Sequence, residues 1–148
     1  MAARVYRIDL PEPFGSALFG PDSPGGYDYA RAYDHLGNRL AWALPRGQVG
    51  ACDVERQTGT RSWLANAYGM SDQAFLASWV QTETVAKMLD VPIMTYVRAQ
   101  GLIQASEAHE QTIRLNIDGA NIDMVTTFVA YLDAWCCFGM TNSHRAVR

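Results

Sequence analysis

Apolar and polar positions alternate from the start of the chain. Over residues 3–10, Val5, Arg7 and Asp9 face one way and Arg4, Tyr6, Ile8 and Leu10 the other, a period-2 pattern that predicts a strand closed by Pro11 and Pro13. Residues 14–26 are rich in Gly, Pro and Ser and read as a loop anchored by Phe14 and Phe19. Residues 27–44 predict a hairpin, because Asp34, Gly37 and Asn38 supply turn chemistry between two apolar arms; a helix over 29–36 is the competing reading. A second hairpin is expected from 49–56 and 61–65 about a turn at 57–60.

After a junction at 68–70 the period changes. Ser71 or Asp72 caps a helix whose Phe75, Leu76, Trp79 and Val80 form an apolar stripe. Thr82 reads as the N-cap of a second helix carrying Val85, Met88 and Leu89. Asp90 breaks it, Pro92 suits the first turn of a third helix, and Gly101 stops that helix. Strands are expected at 102–105 and 113–117, with a turn at 118–121. Val125, Phe128, Val129, Leu132, Trp135 and Cys136 recur at spacings of three and four and predict a last helix over 122–138. The fold class expected is α+β: a β-rich region over 1–69, a helical segment over 70–119, and a C-terminal packing helix with its tail over 120–148, segments that one compact domain can hold.

Thr82, Val85, Ala86, Leu89, Val91, Pro92 and Thr95, followed by Gly101-Leu102-Ile103, have the mechanical logic of a helix-turn-helix. This stretch resembles the winged-helix and excisionase-type DNA-binding families, and residues 111–118 resemble the second wing strand of MarR-type regulators. The resemblance covers about 71–118 and implies a winged-helix-like module. It implies that Lys87 faces the DNA backbone, Thr95 lies on the recognition helix, Arg98 contacts a guanine or phosphate, and His109 and Arg114 ride on the wing. It also implies a dimerising C-terminal helix, hence a homo-oligomer. Residues 33–39 resemble a single YD-type repeat of secreted β-cocoon toxins; one copy is read as turn chemistry.

Composition narrows these readings. The 148 residues are 49% hydrophobic and only 18% charged, which describes a globular chain able to bury a core and to hide surface against a partner. A net charge of −3 gives no bulk attraction to nucleic acid or anionic membrane. The first residues lack the apolar region of a signal peptide, and no run is long enough to span a membrane. Three cysteines, two of them adjacent, suit a reducing compartment. The expectation is a cytoplasmic protein, including one made in a virus-infected cell or built into a particle.

Candidate chemistry is sparse. Cys136-Cys137 with His144 lacks the further ligands of a zinc site, so structural thiols are expected, with no metal and no cofactor. Gln81-Thr82-Glu83 superficially resembles the Q-x-E of ADP-ribosyltransferases, but falls where a helix is expected and that family needs a strand. Glu107 and Glu110 read as exposed loop acids. Nucleophile-elbow and zinc-protease motifs are absent, and no enzyme is expected.

Two functions follow. The first is a non-enzymatic DNA-binding or regulatory accessory protein. The second is a protein-interaction module without DNA binding, such as a viral assembly component or a small inhibitor of a host defence complex. Ile93 and Met94, apolar at a helix start, are the candidate docking knob for the second. Charge separates the two, because phosphate neutralisation supplies most non-specific DNA affinity.

Overall fold

The computed structural model describes residues 4–25, 29–56, 62–105, 110–131 and 133–141. Strands make up 44% of the structure and helices 24%, so this is a β-rich domain and the winged-helix-like architecture expected above is not what forms. A first antiparallel sheet contains β1 (Tyr6–Asp9), β2 (Ser16–Gly20), β3 (Tyr29–Tyr33) and β4 (Arg39–Ala43), in the order β1-β2-β4-β3. A second contains β5 (Val49–Arg56), β6 (Glu110–Ile117), β7 (Ala120–Tyr131) and β8 (Ala134–Thr141), in the order β5-β8-β7-β6. Three helices lie between β5 and β6 in the chain: α1 (Ser62–Ala67), α2 (Asp72–Met88) and α3 (Ile93–Gln100).

The part of the second sheet built on β5 and β8 is covered on both faces, while β6 and the start of β7 are covered only on the helical side. Cys52, Val54, Cys136, Phe138 and Met140 point from β5 and β8 into a core shared with Ile8, Phe14, Ala17, Phe19, Leu40 and Trp42 of the first-sheet region. The indole of Trp42 is fully buried and donates from Nε1 to the Phe14 carbonyl at 2.8 Å, so its polar atom is not stranded. On the opposite face, Ile113, Leu115, Ile122 and Met124 of β6 and β7 pack against Val85, Ala86, Met88, Tyr96 and Val97 of α2 and α3. Close approach of the layers requires glycine at two points. A Cβ at Gly139 would lie 3.0 Å from Thr84 Cγ2, and one at Gly50 would lie 2.7 Å from Leu44 Cδ2 and 3.1 Å from Trp42 Cζ3.

Several expectations hold. β1 forms within 3–10, and β3 and β4 pair about the Asp34 turn. The Asp34 carboxylate accepts from the backbone N–H groups of Leu36 and Asn38, from Asn38 Nδ2, and from Arg56 Nε at 2.8 Å. Ser71 caps α2 by accepting from Ala74 N at 3.3 Å, and α3 ends at Gly101.

Others are corrected. Residues 16–20 are strand, not loop, with Phe14 and Phe19 buried as anchors. Residues 62–67 are helix, not a hairpin arm. Thr82 begins nothing: α2 runs unbroken through it, and its buried hydroxyl donates to the Ser78 carbonyl one turn back. That hydroxyl also accepts from Ile103 N, as Ser78 Oγ does from Ala105 N, so residues 102–105 are tied to α2 and do not pair with 113–117. β6 pairs with β7 instead. The helix expected over 122–138 is two strands, β7 and β8. Its β-branched and aromatic run favours strand, and burial of both faces removed the alternation that would have marked it. The second sheet draws strands from all three segments proposed from sequence.

Candidate functional site

The residues expected to meet DNA do not converge. Lys87 Nζ is held at 2.8 Å from Asp53 Oδ1 and 3.1 Å from the Cys52 carbonyl. Arg114 pairs with Asp123 at 2.7 Å (Nε to Oδ1) and 3.1 Å (Nη2 to Oδ2), on the face of β6 that points away from the helices. Thr95 and Arg98 are exposed on α3, on the helical side of the sheet. The expectation for His109 lies outside the described residues.

Of the docking pair, Ile93 is half-buried and packs against two apolar clusters, while Met94 is 46% exposed. Ile93, Leu64, Met70 and Leu102 surround a small core of Ala65, Phe75 and Trp79 that joins α1, α2 and the start of α3. Trp63 on α1 stands 74% exposed beside this cluster, and Tyr68, 40% exposed, leans on Phe75 with ring centroids 5.9 Å apart. Stretches 62–71, 91–97 and 99–105 contain no charged residue. The helical layer therefore exposes Trp63, Tyr68 and Met94 from uncharged stretches, with Arg98 the charge that interrupts them on α3.

A second constellation lies where α2 crosses β5. Asp53 and Glu55 are two apart on β5 and share the face toward α2; Glu83 and Lys87 are four apart on α2 and share the face toward β5. Carboxylate oxygens of Asp53, Glu55 and Glu83 lie within 4.8 Å of one another. Asp53 is 5% exposed, and its Oδ2 and the Glu83 Oε2 are buried without a hydrogen-bond donor. Burial, reinforced by the negative charge of Glu83, pushes the Asp53 carboxyl well above its ordinary range despite the opposing pull of Lys87. Burial alone would lower Lys87, but the Asp53 charge outweighs it and holds the ammonium protonated. Cys137 stands opposite Asp53 in the β5–β8 ladder and burial pushes its thiol up to about 12.

Sequence reasoning passed over Asp53 and Glu55. The available signal was two acids at i, i+2 after an apolar run in 49–52, and an acid–base pair, Glu83 and Lys87, at i, i+4 in a helix otherwise poor in charge. The Q-x-E resemblance dissolves at the same place. Gln81 donates to Gln111 Oε1 and Thr126 Oγ1 toward β6 and β7, Thr82 binds Ile103 N, and Glu83 faces β5, so consecutive side chains diverge around a helix.

Neither protein-family models, nor curated proteins, nor solved structures give a match to this chain. Among the described residues no helix is long and apolar enough to cross a membrane.

Proposed function

We propose that the protein is a non-enzymatic interaction module that docks on a protein partner through the helical layer, with Trp63, Tyr68, Ile93 and Met94 at the contact. The observation that carries this reading is the exposure of Trp63 and Met94, each next in sequence to a residue, Leu64 or Ile93, that packs on one apolar cluster. Aromatic and Met side chains are enriched and charges depleted at the centres of protein interfaces. Trp and Tyr are among the residue types enriched at the few positions that carry most interface binding energy. The three free cysteines, all buried, support an intracellular, reducing setting. Assembly into a homo-oligomer is one form this docking takes.

The test compares wild type with Trp63→Asp and Met94→Asp by size-exclusion with light scattering and by co-purification from cells that make the protein. Both side chains are exposed, so the variants keep their circular dichroism and thermal midpoint while losing self-association or partner capture. Unchanged association in both variants removes the reading. A mobility shift with duplex DNA at low salt that Arg98→Ala abolishes favours the regulator reading instead.

A further inference from the structure

The carboxylates between β5 and α2 are arranged as ligands, which the docking function does not require. We propose that Asp53, Glu55 and Glu83 form a binding site for one hard divalent cation of the Mg2+, Mn2+ or Ca2+ class. Three carboxylate oxygens within 4.8 Å of one another can all reach a single ion, since oxygen ligands sit roughly 2.0–2.6 Å from such cations.

The second observation is the state of the buried oxygens. Lys87 satisfies Asp53 Oδ1 and spends a further donor on the Cys52 carbonyl. Asp53 Oδ2, on a side chain more than nine-tenths buried, faces the cluster with no donor, and Glu83 Oε2 shares that condition. Anionic oxygens removed from water without a partner are costly, and a cation at their meeting point removes the cost. Within the cluster three carboxylates face one ammonium, so a divalent ion balances the charge.

The donor set selects the class of ion. All three ligands are carboxylates, hard oxygen donors that suit Mg2+, Mn2+ and Ca2+ rather than softer ions. Lys87 is not a competitor for the ion's position, because it occupies Oδ1 and leaves Oδ2 open. The half-buried Glu55 and Glu83, with Lys87 38% exposed beside them, give a path from solvent.

The rival occupant of the same oxygens is a proton shared between Asp53 and Glu83. Calorimetric titration of chelator-treated full-length protein with Mn2+ at neutral pH separates the two, with electron paramagnetic resonance reporting bound Mn2+. One saturable Mn2+ per chain is expected, displaced by Mg2+ or Ca2+, with affinity falling at least about tenfold in both Glu83→Gln and Glu55→Gln. Glu110→Gln, an exposed acid on β6, serves as the control and retains wild-type affinity. Absence of saturable binding at millimolar Mn2+, or equal affinity in wild type and the two cluster variants, overturns the site and leaves the shared proton. The docking function is read by association, so its failure and the failure of this site are distinct results.

Discussion

Lys87 and Asp53 close the seam between α2 and β5, with Nζ 2.8 Å from Oδ1 across 34 positions of sequence. The pair joins the helix to the edge strand of the second sheet. It also explains why Lys87 is not free to face a nucleic acid backbone.

Lys87→Met leaves a buried Asp53 without its counter-charge. Breaking a fully buried pair costs about 3–5 kcal/mol; Lys87 is partly exposed, so about 1–3 kcal/mol is expected here. Urea unfolding of the variant beside wild type checks it, and an unshifted midpoint counts against the pair as a fastening.

The Asp34–Arg56 contact predicts a response to acid. Burial raises the Asp34 carboxyl, but hydrogen bonds from the Asn38 side chain and backbone, from Arg56 and from Leu36 outweigh it, and the net shift is downward. A carboxyl lowered on folding contributes stability above its unfolded value of roughly 3.9, and that contribution disappears as pH falls through the lower folded value. Between pH 7 and pH 3 the wild-type unfolding midpoint should fall further than that of Asp34→Asn, which has no proton to take up at this position. Parallel losses in the two proteins would contradict the assignment.

Gly50→Ala should cost about 1–3 kcal/mol, because its Cβ meets the Leu44 and Trp42 side chains and the rigid Gly139 carbonyl. Gly139→Ala should cost less, since Met88 can yield on the other face. A larger loss at Gly139 in thermal melts would place the tightest packing on the helical side.

All three thiols should resist alkylation in the native protein. Burial pushes Cys136 and Cys137 up to about 12 and Cys52 upward as well, so the reactive thiolate is scarce and inaccessible. Mass spectrometry should find no iodoacetamide adduct at pH 8 under native conditions and three after unfolding in guanidinium.

What could be read in the sequence was chemistry confined to a few neighbouring residues. Asp34 announces its turn because its own carboxylate makes the turn's hydrogen bonds; Ser71 and Gly101 mark helix ends because they act on their nearest turn. Thr82 misled because one hydroxyl serves equally at a helix start and inside a helix, and only a distant partner, Ile103 N, decides between them. Val125, Phe128 and Val129 mimic a helical stripe because a strand covered on both faces need not alternate. Asp53 and Glu55 gain meaning only from Glu83 and Lys87, which the fold brings across from another element. Pro92 and Gly101 marked the ends of α3 in the same local way, but nothing near them announced the sheet against which α3 packs.

Because the second sheet separates two apolar compartments, neighbouring residues on one strand belong to different neighbourhoods. Cys136 looks toward the first sheet and Cys137 toward α2, although one peptide bond joins them. This makes the adjacent thiols two independent clocks on local opening. Detachment of the helices admits reagent to Cys137 first, whereas parting of the sheets admits it to Cys136. In mild denaturant, the order in which the two acquire label reports which layer leaves first, without any engineered probe.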